Sequence, residues 1–192
     1  MLFVYVHLTT TFLFIMSSFD NELRVITWNV TGLMSSASYL SDILTEGDID
    51  VCGLSEHWLT PNNLFFMDSI SSDFDYFGKC DNSNRSKGGV AIMWNKRLSH
   101  RVVPIDVDDD RIVGIQMQIS STEHMFVFQV YLPCVNHSYE IFAEYINQLY
   151  DLYYTYCEKG TTIFIGDFNA SIVRDNLLSR DRSMFCTFYV KL

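Results

Sequence analysis

Apolar and polar positions along this chain change period several times, and each change marks an element. Leu23 to Trp28 alternates weakly and is rich in β-formers, which predicts a strand. Ser35 to Glu46 carries Tyr39, Leu40, Ile43 and Leu44 at helical spacing, with Ser35 or Ser36 as cap and Gly47 where a C′ glycine belongs. Asp50 to Leu54 is apolar again and predicts a second strand. Pro61 to Ile70 fits neither period, Asp73 to Gly78 reads as a short strand, and Lys79 to Lys87 is a polar loop. Strands are predicted at Gly88 to Trp94, Arg101 to Val107, Arg111 to Ile119 and His124 to Tyr131. Their close spacing suggests antiparallel meander pairing. Ser138 to Glu158 places Ile141, Phe142, Tyr145, Ile146, Leu149, Leu152 and Tyr153 at helical spacing, and Gly160 ends it. Thr162 opens a final apolar strand, and Ser179 to Val190 has the pattern of an amphipathic helix. No repeats, low-complexity tracts or linkers interrupt the order. By itself this pattern says only α+β or α/β.

Composition narrows the class without naming a function. A chain of 192 residues with 48% hydrophobic and 19% charged content has enough apolar material for one domain with a substantial core. The net charge of -10 counts against a nucleic-acid surface, whose footprint is basic. Net charge is not local charge, however: Asp106, Asp108, Asp109 and Asp110 form one acidic run that reads as a solvated turn. The five cysteines, Cys52, Cys80, Cys134, Cys157 and Cys186, are odd in number and lack C-x-x-C spacing. They read as reduced thiols, not as a zinc site.

The residues able to do chemistry sit at strand ends. Asp167 and Asn169 follow Ile163 to Ile165 and the flexible Gly166, where the backbone is expected to turn sharply. Two apart, they can point the same way off an extended strand. Asn29 ends the first strand, Glu56 the second, and Tyr131 the strand from His124. Turn residues are commonly Gly, Asp and Asn, so the junction alone also fits an ordinary turn.

The ordered set Val25-Ile-Thr-Trp-Asn-Val-Thr-Gly-Leu33, Asp50-Val-Cys-Gly-Leu-Ser-Glu-His-Trp-Leu59, Gly88-Gly-Val-Ala-Ile-Met-Trp94, Phe126-Val-Phe-Gln-Val-Tyr-Leu-Pro133 and Gly166-Asp-Phe-Asn-Ala170 resembles the endonuclease/exonuclease/phosphatase superfamily, the DNase I-like and AP-endonuclease-like enzymes. The wording is most similar to the endonuclease domain of non-LTR (LINE-type) retrotransposons. The resemblance covers about residues 23 to 190. It implies a four-layer α/β (α+β) sandwich, two packed mixed or antiparallel sheets flanked by helices. It also implies metal-dependent phosphodiester hydrolysis with Mg²⁺ or Mn²⁺ as cofactor and DNA as substrate, and no stable protein partner. In that scheme Glu56 is a metal ligand and Asn29 helps hold the metal shell through its carbonyl oxygen. Asp167 orients or deprotonates the attacking water, Asn169 bonds the phosphate or that water, and the Tyr131 hydroxyl lies near the phosphate. Lys79, Arg85 and Lys87, the densest basic cluster, are candidate phosphate contacts, with a solvated loop as the equal alternative. His57 follows Glu56 directly and points the other way on an extended segment, so it carries no role. The phosphatase or phosphodiesterase side of the superfamily, acting on inositol phosphates or sphingomyelin, and an inactive remnant stay open as alternatives.

Three further expectations concern the ends of the chain and its compartment. Met1 to Met16 are apolar except for His7 and three threonines, short of the ~20 residues of a spanning helix, and no positive charge precedes Arg24. Residues 1–20 read as a leader outside a domain formed by 21–192, and a membrane is not expected as a partner. The resemblance implies a site completed by a later aspartate and a Ser-Asp-His-type segment, and no Asp-His pair occurs in this sequence. A partial domain, incomplete at the C-terminus and unable to nick plasmid by itself, is therefore expected. Asn29, Asn136 and Asn169 all lie in N-glycosylation patterns, and modification of two site residues would be self-defeating. Together with the thiols this favours an intracellular protein, nuclear or cytoplasmic.

Overall fold

The computed structural model describes residues 6–8, 11–18, 21–81, 86–133 and 139–169. Arg85, Cys134, Cys186 and the predicted helix at 179–190 lie outside them. Among the described residues, ten strands form two sheets. The first has the order β1-β2-β3-β4-β6-β5: β1 (Val6–Leu8), β2 (Thr11–Ser18), β3 (Asn21–Asn29), β4 (Val51–Ser55), β6 (Val90–Asn95) and β5 (Phe74–Lys79). The second has the order β10-β9-β8-β7: β10 (Thr161–Asp167), β9 (His124–Tyr131), β8 (Ile112–Gln118) and β7 (Val102–Asp106). Helix α1 (Leu33–Glu46) connects the parallel pair β3–β4, and α2 (Tyr139–Tyr156) connects the parallel pair β9–β10. Parallel neighbours need such a crossover.

The pleat explains why the strands read as continuous apolar runs. Successive side chains point to opposite faces, and both faces here are covered. Ile26, Trp28, Cys52, Leu54, Ala91 and Met93 pack under Leu33, Leu40 and Leu44 of α1. Their neighbours Val25, Val51, Val90, Ile92 and Trp94 face the second sheet, meeting Val113, Ile115, Met117, Met125, Val127 and Ile165. Phe126, Phe128, Val130 and Phe164 on the far side pack under α2 through Leu149, Tyr145 and Tyr156. The result is the expected order of layers: helix, sheet, sheet, helix.

Several local expectations change. Strand β6 does not join the meander. It lies between β4 and β5 in the first sheet, and only β7, β8 and β9 pair in sequence. The short helix Lys96–Arg101, a 3₁₀ turn capped by Asn95, carries the chain from one sheet to the other. A second 3₁₀ helix, Leu64–Ser69, occupies the stretch that fitted neither period. Helix α1 starts earlier than expected, with Gly32 as its N-cap. Ser35 and Ser36 donate to the carbonyls of Gly32 and Val30 and do not cap it. Gly47 stays right-handed at φ -80, and the left-handed residue is Asp48 at φ 49.

Thr11 to Ser18 pair antiparallel with β3 from Trp28 back to Asn21, so the apolar stretch extends the first sheet. An apolar strand satisfies its backbone groups by joining the edge of a sheet. Among the described residues, no helix is long and apolar enough to cross a membrane.

Candidate active site at the end of the inter-sheet layer

Strand parity brings the candidate residues together. Asn29 continues the face of Val25 and Thr27, Asp167 that of Ile165, and Tyr131 that of Val127 and Gln129, all toward the opposite sheet. Asp167 and Tyr131 are direct partners in the parallel ladder. Asn29 pairs with Ser55, the residue before Glu56. The ends of β3, β4, β9 and β10 therefore open at one rim.

At that rim one amide joins two carboxylates. Asn29 Nδ2 donates to Glu56 Oε1 at 2.8 Å and to Asp167 Oδ2 at 2.9 Å. Asn29 Oδ1 accepts from the Thr31 backbone N–H at 3.2 Å and from the Thr31 hydroxyl at 3.1 Å. A backbone N–H can only donate, so this contact fixes which end of the amide is oxygen. The oxygen expected to face a metal is turned to Thr31, and the nitrogen faces the acids. Asp167 Oδ1 in turn accepts from the Asn169 backbone N–H at 3.0 Å. Each Asp167 oxygen is thus held by one donor from a different strand end.

Asn169 does not extend parallel to Asp167 as expected. It is left-handed, at φ 47, and its Nδ2 donates to Leu132 O at 2.6 Å, tying β10 to the end of β9. Gly166 is also not a turn. It remains in β10 at φ 131, and a Cβ there would lie 2.0 Å from Val130 O, so glycine is required for close strand approach.

Backbone strain concentrates here. Five described non-glycine residues have positive φ, and four of them, Thr31, Glu56, Trp58 and Asn169, belong to this rim. Such conformations cost about 1–3 kcal/mol each and persist where surroundings over-determine them. The surroundings are visible: Glu56 N–H donates to Gly89 O and Trp58 N–H to Gly88 O, while Glu56 O and His57 O accept from Gly32 and Leu33 at the start of α1. Trp58 Nε1 completes the frame by donating to Glu56 Oε2 at 3.3 Å.

His57 is fully buried on the other side of this segment. Its Nδ1 accepts from Leu59 N–H at 3.0 Å and its Nε2 lies 2.9 Å from Lys79 O, so the neutral ring with the proton on Nε2 satisfies both. Burial pushes its pKa below the usual histidine value, partly offset by backbone hydrogen bonding to Lys79 and Val90. The ring presses on Gly89, where a Cβ would fall 2.3 Å from it. It packs as a buried spacer between this segment and the Gly88–Gly89 turn.

Of the basic cluster, Lys79 and Lys87 lie among the described residues. Lys79 Nζ is committed to the acidic run, paired with Asp106 at 2.5 Å and bonded to the carbonyls of Val107 and Asp109. Nor is that run a freely solvated turn. Asp109 accepts from Arg111 N–H at 2.7 Å, and burial raises its pKa. Lys87 is exposed, next to Gly88 and Gly89. The Arg111 guanidinium lies 5.1 Å from the Tyr131 ring centre and donates to Tyr131 O, which fixes that aromatic beside Asp167.

Sequence reasoning missed the device beneath the rim. Gln129, fully buried, reaches from β9 across to the first sheet. Its Oε1 accepts from Thr27 Oγ1 at 2.9 Å and its Nε2 donates to Ser55 Oγ at 2.8 Å. Gly53 makes the room, since a Cβ there would stand 1.9 Å from Gln129 Oε1. The three bridged residues precede Asn29, Glu56 and Tyr131 by two, one and two positions. A glutamine inside an otherwise apolar strand was the available signal.

Glu56 and Asp167 are the residues that could hold a divalent cation here. Glu56 and Asp167 offer carboxylate oxygens within one hydrogen bond of a common atom. Mg²⁺ accepts one or two carboxylates with waters completing its shell. Among the described residues no group of three or more His, Cys, Asp or Glu side chains surrounds a common point.

A family model described as the Endonuclease/Exonuclease/phosphatase family matches residues 26–184. Craniofacial development protein 2 of Bos taurus is 24% identical over 147 residues, which are 76% of this chain and 24% of that protein. The chain thus spans about a quarter of the length of that curated relative. Among solved structures, D. rerio TDP2 complexed with single strand DNA product superposes with a TM-score of 0.57 at 22% identity, covering 79% of this chain and 62% of the other. The Xenopus laevis APE2 catalytic domain gives 0.64 at 17%, covering 85% and 67%. At these identities the structural likeness establishes the fold.

Proposed function

Because the chain belongs to the endonuclease/exonuclease/phosphatase family, we propose that the rim formed by Asn29, Glu56, Tyr131 and Asp167 serves hydrolysis of a phosphodiester in DNA, in the manner of a retrotransposon-type endonuclease. The observation that carries this reading is the Asn29 amide shared between Glu56 and Asp167. It holds two acids side by side at a strained, open rim, where each can take a separate task. Glu56, fixed by Asn29 and Trp58, is the ligand for Mg²⁺ or Mn²⁺, with Asp167 near enough to share the ion or its water. The ion would supply neutralisation of charge on the phosphoryl oxygens. Asp167, oriented by Asn29 and Asn169, is placed to align or deprotonate a water for in-line attack. Tyr131, neighbouring Asp167 in the ladder, can present its hydroxyl to the phosphate. Asn169 acts by holding the Asp167 loop. The DNA-bound state named for the D. rerio relative supports DNA as the substrate class. The free thiols of Cys52, Cys80 and Cys157 fit an intracellular, nuclear or cytoplasmic setting.

The test is conversion of supercoiled plasmid to open circle with Mg²⁺. Nicking by this chain that is lost in Asp167→Ala supports the reading, and no nicking by the wild-type chain counts against it. Release of inorganic phosphate from inositol phosphates, or of phosphocholine from sphingomyelin, without nicking would move the site to the phosphatase side of the family.

A further inference from the structure

Trp58 stands apart from the other two tryptophans. Trp28 and Trp94 are 9% and 6% exposed and belong to the core, while Trp58 is 37% exposed. The segment Glu56 to Leu59 alternates. His57 and Leu59 turn inward and are buried, which sends Glu56 and Trp58 out to the rim. An apolar ring exposed beside a carboxylate gains nothing from burial, yet three features hold it there. Its backbone is fixed left-handed, at φ 58, by the bond to Gly88 O. Its Nε1 is anchored on Glu56 Oε2. One edge lies against Gly32, where a Cβ would come within 2.8 Å of Trp58 Cε3. The ring is therefore rigid before any ligand arrives, and its place is fixed relative to the acid that would hold the cation.

We propose that Trp58 is a stacking platform for an unpaired nucleobase next to the scissile phosphate, so that the site favours single-stranded or locally opened DNA. The inference rests on the reading of this rim as a DNA-hydrolysing site. A base within a duplex has both faces covered by its neighbours. Only an unstacked base offers a face to an aromatic surface, and such stacking tolerates any sequence because every base has one. The flat ring also supplies affinity without a basic footprint, which suits a chain of net charge -10.

The test measures binding of a short fluorescein-labelled oligothymidylate, and of the same backbone without bases, to the whole chain. Ca²⁺ replaces Mg²⁺ to hold off cleavage. Wild type is expected to prefer the base-bearing strand. Trp58→Ala should weaken that strand by about 5- to 150-fold and leave the baseless strand little changed. Trp58→Phe keeps a ring face but loses the bond to Glu56, and it should retain most of the affinity. Oligothymidylate should quench the exposed tryptophan emission of wild type but not of Trp58→Phe. If Trp58→Phe is as weak as Trp58→Ala, the indole N–H matters and the platform is refuted. Equal losses on both strands, or none on either, refute it too. A wild type that binds neither strand would remove the DNA reading itself, an outcome distinct from normal binding that ignores Trp58.

Discussion

Replacing Gln129 by methionine keeps the length of the side chain and removes its hydrogen-bonding end. Gln129 is wholly inaccessible to solvent, as is Ser55, and Thr27 is 3% exposed, so water cannot take over. Thr27 Oγ1 loses its acceptor at 2.9 Å. Ser55 Oγ loses its donor but can still reach Val130 O at 3.5 Å. Leaving a buried polar group unsatisfied costs about 1–3 kcal/mol. One fully orphaned hydroxyl and one half-compensated hydroxyl give a loss of about 2–4 kcal/mol. For a chain of this size that lowers the melting temperature by roughly 4–16 °C. Urea denaturation read by far-UV circular dichroism measures it directly. The same reasoning predicts recovery: with Thr27→Val and Ser55→Ala added, no polar atom is orphaned, and the triple variant should regain most of the loss. A single variant within 0.5 kcal/mol of wild type would refute the account, and so would a triple variant worse than the single one. The recovered variant is then the right background in which to measure what the bridge contributes to holding Asn29, Glu56 and Tyr131.

Other consequences are more local. Mg²⁺ or Mn²⁺ should raise the melting temperature of wild type with ligand saturation, and Glu56→Gln should abolish that shift while keeping the fold; equal shifts in both would remove Glu56 as ligand. His57 is held neutral with its pKa lowered by burial, so the unfolded chain gains a proton at higher pH than the folded one. Stability is therefore complete above about pH 6.5 and falls on acidification toward the lower folded value. His57→Gln should flatten this slope, as urea midpoints across pH 5 to 8 would show. Deleting residues 1–18 removes β2 and bares the edge of β3, so the shortened chain should aggregate at concentrations where the full chain stays in solution. Unchanged light scattering and melting temperature would show that the first sheet does not need that strand.

Much of this architecture is written in the local pattern. The periods locate α1, α2 and strands β3 to β10 to within a few residues, because burial on a pleat or a helix face leaves a trace at fixed spacing. The strand-end positions of Asn29, Glu56, Tyr131 and Asp167 are legible for the same reason. Parity along each strand also puts Asn29 on the same side of its strand as Thr27, Tyr131 on that of Gln129, and Asp167 on that of Ile165. What parity cannot supply is partnership between strands. That β6 leaves the meander for the first sheet, and that β2 continues it, follows from which edges meet, and every apolar strand here offers a similar edge. The side-chain chemistry depends on the same assembly. Asn29 and Asp167 are 138 positions apart, and Thr27 and Gln129 are 102 apart. Whether Asn29 turns oxygen or nitrogen toward the acids is decided by Thr31 on one side and two carboxylates on the other. Lys79 looked like a cation in a loop until Asp106 and two carbonyls claimed it. Sequence determined which groups reach the rim, because that is a property of each strand alone. Tertiary structure decided what each group holds, because hydrogen bonds are short and directional and form only between atoms that separate strands bring together.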